Sequence, residues 1–246
     1  MCGIGGIYSH NYSDDYARAD EAQNLIFDLR DRGKHASGFS WCPMNGDEVL
    51  VHKSPVDAKH FFRTNLISKK AGNMNRFIML HTRFTTQGST RNNFNNHPIV
   101  SQNLIVTHNG VISNYDEPSQ KFNVKRQGEV DSESINIALR HGGVAYTLDT
   151  IQGSMSVAWA DQKQPEIVNL MTNGRNPLVI GITACKRTVW ASNRYHIEEN
   201  FDLIDWFHAD PYTQYILKPD GIIKKVIVEG NFRPRIMNRY DHRAVY

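Results

Sequence analysis

The stretch MCGIGGIY, residues 1–8, decides how the rest of the chain is read. Its apolar run is short and bounded, as a buried strand is, and its glycines leave room for neighbouring elements to press close. It also places a cysteine, Cys2, directly behind the first methionine. Two readings stay open on these residues alone: an interior strand with an incidental cysteine, or a strand that presents a reactive residue at the end of the chain. A dinucleotide-binding loop is a weak match, because GIGG is followed neither by a helix start nor by an acidic residue at a second strand end.

The pattern beyond residue 8 predicts a mixed α+β chain. Ser13 is placed as the N-cap of a helix that ends at Gly33. SGFSW and EVLVHKS flank Asn45-Gly46, a strong hairpin signal. VDAKHFFRTNLISKK, residues 56–70, predicts a second helix, and RFIMLHTR, residues 76–83, a buried strand followed by a polar loop from Thr85 to Asn96. NLIVTHNG predicts a strand ending at Gly110, and DSESINIALRHGG a helix with Asp131 near its start and glycines at its end. Four strand candidates follow between residues 153 and 192, then a hairpin around Pro219-Asp220-Gly221. Several strands are apolar on both faces, which calls for sheets packed between helices.

Composition narrows the class. The 246 residues suffice for a substantial core, and 40% hydrophobic with 22% charged residues is ordinary for a folded protein. A net charge of +3 is a poor argument for nucleic acid. Arg233, Arg235, Arg239 and Arg243 gather near the C-terminus and predict a solvated or docking tail over residues 231–246, after a domain spanning 1–230. No stretch approaches the roughly 20 apolar residues of a membrane helix, and no secretory signal opens the chain. Three cysteines, Cys2, Cys42 and Cys185, fit neither a disulfide scaffold nor a zinc site, so a cytoplasmic setting without metal or cofactor is expected.

Four features carry chemistry. If Met1 is removed, Cys2 holds a thiol and an α-amine, whose ordinary pKa is about 7.7–8.0, so one residue supplies nucleophile and base. His108-Asn109-Gly110 closes a strand, where an Asn side-chain N–H and a Gly backbone N–H can meet a developing oxyanion, although an ordinary Asn-Gly turn reads the same way. Arg83 closes another strand and can grip a carboxylate with two parallel bonds. Asp131 opens a helix; it is either a cap or a partner for an ammonium. Arg and Asp together define a free amino acid, and a thiol with oxyanion donors defines attack on its side-chain carbonyl. Glutamine fits, and asparagine is a shorter alternative.

With those residues in place, the chain resembles a class II glutamine amidotransferase domain of the N-terminal-nucleophile hydrolase fold, most of all the glutaminase half of glucosamine-6-phosphate synthase. The resemblance rests on Cys2-Gly3-Ile4, RGKHASG at 32–38, HTRFTTQG at 81–88, NNHP at 95–98, HNGVISN at 108–114, VDSE at 130–133, NPLVIG ending at Gly181 and ASN ending at Asn193. It implies a four-layer αββα sandwich. It implies Cys2 as nucleophile, Asn109 and Gly110 as oxyanion hole, and Arg83 and Asp131 on the carboxylate and amino groups of L-glutamine. Thr86 would add a substrate contact, and Arg32 would hold the nucleophile end of the site.

Departures from the family pattern also stand out. Phe84 and Gln87 replace a Trp and a His in the loop that acts as a lid, RGKHASG lacks the usual Asp-Ser pair, and Asn193 replaces an Asp. The chain matches no sugar-isomerising half, so ammonia is expected to go to a separate synthase. Three other readings remain: an N-terminal-nucleophile hydrolase of another γ-glutamyl compound or amide without ammonia transfer, an amidotransferase of another branch resembling asparagine synthetase or amidophosphoribosyltransferase, and a non-catalytic module that keeps the fold.

Overall fold

Two antiparallel sheets lie face to face, each covered on its outer side by helices. The computed structural model describes residues 1–226, so the expected tail over 231–246 lies outside the described residues. In chain order the elements are β1 (Gly3–Tyr8), α1 (Ala19–Asp28), β2 (Ala36–Pro43), β3 (Leu50–Ser54), α2 (Ala58–Thr64), α3 (Leu66–Ala71), β4 (Asn75–Arg83), β5 (Ile99–Ser101), β6 (Leu104–Ile112), α4 (Glu117–Phe122) and α5 (Glu133–Thr150). They continue with β7 (Gly153–Asp161), β8 (Gln164–Thr172), β9 (Val179–Thr183), β10 (Thr188–Ala191), α6 (Arg194–Glu198), β11 (Leu203–His208), β12 (Thr213–Lys218) and β13 (Gly221–Val226). The first sheet has the order β11-β9-β10-β1-β4-β2-β3, and the second β13-β12-β8-β7-β6-β5. No helix among the described residues is long and apolar enough to cross a membrane.

Three apolar clusters give the four layers that the sequence predicts. Leu25 and Ile26 of α1, Phe61 of α2 and Ile197 of α6 pack on Ile7, Phe39, Ile78 and Leu80 of the first sheet. Between the sheets, Ile4, Tyr8, Phe77, Met79 and Trp190 meet Ile105, Ala158, Leu170 and Tyr215. Ile135, Ala138 and Leu148 of α5 cover Val106, Val157 and Met171 on the outer face of the second sheet. Alternate residues of β1 therefore enter two different cores, which explains an apolar run without polar alternation. At Gly6, a Cβ would lie 2.2 Å from the Trp190 ring on the adjoining strand β10. The glycine is there so that the indole can cross the strand.

Local differences from the sequence reading have physical causes. Ser13 does not cap α1: its Oγ accepts from His10 N–H at 2.9 Å and donates to the Lys186 carbonyl at 3.0 Å. The start of α1 is capped at long range by Asn73, whose Oδ1 accepts from Ala19 and Asp20 N–H. The single helix predicted over 56–70 is two, because Asn65 adopts a left-handed conformation with φ 50° between α2 and α3. α5 does not end at its glycines; it continues through a kink at Gly143, φ 78°.

Candidate active site

The site forms where one end of the first sheet meets β6 of the second. β1 and β4 pair with Gly3 opposite Thr82, which sets Cys2 beside Arg83. β6 packs against both strands, and His81 Nε2 lies 3.0 Å from the His108 carbonyl, a polar tie between the sheets. The β1–β4 register sets residues 2 and 83 side by side, and the packing of β6 on both strands brings the strand that carries residues 109 and 110 against them.

Cys2 Sγ lies 3.4 Å from Phe84 N–H and 3.6 Å from its carbonyl. Burial pushes the thiol above its ordinary pKa, while the Phe84 N–H, the chain's terminal ammonium and Arg83 pull against that rise. Arg32 Nε donates to the Cys2 carbonyl at 2.8 Å. With the Asn193 amide oriented to satisfy its neighbours, its Oδ1 accepts from Arg32 Nη1 at 3.0 Å. An Asn at position 193 thus still serves as an acceptor for Arg32.

The Arg83 side chain is almost wholly buried. Nη1 donates to Asn96 Oδ1 at 2.8 Å, and Nη2 to the carbonyls of Gln87 and Gly88 at 2.5 and 3.0 Å. Burial lowers its affinity for its proton, and Cys2, Asp131 and Glu129 partly restore it. All three acceptors belong to the polar loop predicted from Thr85 to Asn96. Thr86 is exposed on that loop. Two departures from the family pattern meet here: the Phe84 ring sits 5.0 Å from that of His35, and His35 Nδ1 accepts from Thr85 N–H at 2.9 Å.

Asn109 is fully buried, and neither polar atom of its amide has a partner among the described residues. Its backbone carbonyl accepts from Asn176 Nδ2 at 2.9 Å, which fixes the strand at this point. Gly110 adopts φ +155°, and a Cβ there would lie 1.9 Å from the Ser154 carbonyl oxygen. The position admits only glycine. Asp131 Oδ2 accepts from Ile112 N–H at 2.6 Å, so its carboxylate ties the region before α5 to β6 and caps no helix.

Behind these groups sit three buried histidines. His81 and His97 stack with ring centroids 3.9 Å apart, and His108 Nδ1 pairs with Ser132 Oγ at 2.9 Å. Burial holds His81 down at about 3 and His97 well below its ordinary value. His108 is also lowered by burial, against the pull of the Asp131 carboxylate. All three are therefore neutral at pH 7.

The structure brings Cys2, Arg32, Arg83, Asn109, Gly110 and Asp131 to one region and leaves Thr86 on the loop above it. The sequence reading did not single out Asn96, His35 or Asn176 as supports. Asn96 lies inside the quoted NNHP and Asn176 inside NPLVIG, so the motifs contained them without stating what they hold.

The pattern of the glutamine amidotransferase domain family matches residues 81–199, a span that includes Arg83, Asn109, Gly110 and Asp131 but not Cys2 or Arg32. The chain is 30% identical over 197 residues to glutamine–fructose-6-phosphate aminotransferase of Sulfolobus acidocaldarius, covering 74% of this chain and 32% of that protein. It is 22% identical to 7-cyano-7-deazaguanine synthase of Saccharolobus solfataricus, over 96% of this chain and 53% of that one. In fold it is similar to the glutamine phosphoribosylpyrophosphate amidotransferase of B. subtilis, with a TM-score of 0.74, 19% identity, and coverage of 93% of this chain and 50% of that one. The chain spans about a third of the length of the aminotransferase relative and about half of the other two. The sequence pattern and the relatives support a class II glutamine amidotransferase domain in this chain, and the structural neighbour shares its fold.

Proposed function

We propose that the chain hydrolyses the side-chain amide of L-glutamine through a thioester on Cys2, after loss of Met1. The freed α-amine takes the thiol proton, and Sγ attacks the amide carbon. Asn109 Nδ2 and the Gly110 N–H donate to the oxyanion. The α-ammonium returns its proton to the leaving nitrogen, and ammonia departs. Water then gives a proton to the same amine and attacks the thioester carbonyl, releasing glutamate and the free thiol. Arg83 holds the substrate carboxylate, Asp131 its ammonium, Thr86 adds a contact from the loop, and Arg32 fixes the Cys2 backbone. The ammonia passes to an acceptor site on a separate synthase.

The observation that carries this reading is the Asn109 amide. A buried polar group without a partner is unfavourable by about 1–3 kcal/mol and calls for a reason. A donor kept for a transient oxyanion is such a reason, and this one sits beside Gly110 on the strand packed against β1. The test combines intact-mass analysis with a glutamine assay. The expected result is a chain lacking Met1 that forms glutamate and is labelled on Cys2 by a glutamine-like electrophile. Retained Met1 with neither glutamate nor label would overturn it. Activity only on other γ-glutamyl compounds would move the reading to a hydrolase without ammonia transfer.

A further inference from the structure

A cleft of about 760 Å³ is partly lined by the polar loop. It is lined by Lys53 of β3, by Arg91 and Phe94 of the loop, by Val100 of β5, by Asn103 of the β5–β6 turn and by Gln127. None of the residues assigned above to glutamine lines it. Its volume lies in the range of small-molecule sites.

The charge of its lining is one-sided. Lys53 and Arg91 both line it, no carboxylate does, and neither cation forms an ion pair among the described residues. Lys53 Nζ donates to the carbonyls of Asn96 and Pro98 at 2.8 and 2.9 Å, which leaves one of its three N–H bonds. Burial lowers its pKa to about 8, and the one acid that opposes this, Glu133, is engaged by the Gln127 and Gly128 N–H groups. The Arg91 guanidinium is exposed and has no partner among the described residues. Two uncompensated cations in one concave surface focus a positive potential that favours an anion. The remaining lining describes the body attached to that anion. The Phe94 ring is 57% exposed and Val100 40%, a flat apolar wall, while the Asn103 and Gln127 amides are free for hydroxyl or amide groups.

We propose that this cleft is a second ligand site, for a phosphate monoester carried on a polar body, with Lys53 and Arg91 on the phosphate and Phe94 against the body. Paired cations suit a dianionic phosphate, since Arg offers a planar fork and Lys a compact charge.

Calorimetric titration of the whole chain at fixed ionic strength tests this, with inorganic phosphate, ribose 5-phosphate and adenosine 5′-monophosphate as probes and adenosine and chloride as controls. Both monoesters should bind more tightly than phosphate, and the controls should not bind. Tighter binding of the adenosine ester assigns the body to a planar base, and tighter binding of the ribose ester to a sugar. Arg91→Gln, an exposed change, should weaken the better ester about tenfold, the effect of losing one charge-assisted bond. Lys53→Gln should do the same, with its thermal midpoint recorded because Lys53 also holds two carbonyls. Monoesters that bind no better than chloride, or an affinity unmoved by Arg91→Gln, would overturn the proposal.

Discussion

The two walls of the candidate site differ in how much of their bonding capacity is already engaged. On the β6 wall, the Asn109 amide has no partner and Gly110 is held in a conformation that admits no side chain. On the loop wall, the Arg83 guanidinium donates to three acceptors, all between residues 87 and 96. The strand cannot move to satisfy its own amide, because ladder bonds to β7 and the Asn176 contact fix it. The loop has no ladder, so its carbonyls are free to turn toward the nearest cation. A rigid wall keeps donors in place for charge that develops late, whereas a loop wall binds by exchanging partners. Rate and affinity should then respond to different walls.

Asn109→Ala gives the largest test of that division. It should lower kcat by about 10²–10³-fold with little change in KM, as expected for one oxyanion donor. Michaelis kinetics on glutamine read it directly. A change confined to KM would break the comparison at its stronger side.

Acidification should be the next largest effect, and it acts on the β6 wall through the histidines behind it. His81, His97 and His108 are held neutral by burial, so their folded pKa values lie below the unfolded value of about 6.5. The unfolded chain takes up protons that the native chain does not. Stability is therefore complete above pH 6.5 and falls as pH drops below it, by up to about 1.4 kcal/mol per unit for each histidine. Urea unfolding should show lower stability at pH 5.5 than at pH 6.5, by about 1 kcal/mol for His81 alone and by more as His97 and His108 also stay neutral. A flat profile would mean that the cluster is not closed to protons.

Asn96→Ala probes the loop wall. It removes the acceptor for Arg83 Nη1, so KM for glutamine should change several-fold, up to about tenfold, with kcat nearly preserved. A fall in kcat matching that of Asn109→Ala would show that the walls act as one unit. The smallest effect is expected outside both walls, at the partly exposed Arg30–Asp57 pair. Arg30→Met should shift stability by less than about 1 kcal/mol and leave the kinetics unchanged.

Much of this was readable in the sequence, and the exceptions share a cause. The central strands were legible because both faces are buried, which produces long apolar runs. The edge strand β11, with Ile204 and Asp205 exposed, carries no such signal and was missed. The break at Asn65 was hidden because apolar spacing continues across it, while a single left-handed Asn suffices to turn the chain. Ser13 and Asn73 exchanged roles through contacts with residues distant in sequence. The site followed the same rule. Cys2, Arg83 and Asn109-Gly110 each carry a local signature. The support Asn176 acts through a bond to a residue 67 positions away, which no local pattern encodes, and Arg32, whose bond spans 30 positions, was reached only through the resemblance carried by RGKHASG.

The bonds that Arg83 makes to Gln87 and Gly88 place carbonyl oxygens on the guanidinium proposed to hold a substrate carboxylate. The loop is in that sense a tethered competitor, present at an effective concentration that no dilution changes. Apparent affinity for glutamine is then the intrinsic affinity multiplied by the fraction of molecules in which the loop has let go. Each 1.4 kcal/mol by which the self-bonded form is favoured weakens that affinity about tenfold without altering any residue that touches substrate. Substrate range and substrate threshold are consequently set by different parts of the chain, and the second can be retuned by changes confined to residues 87–96.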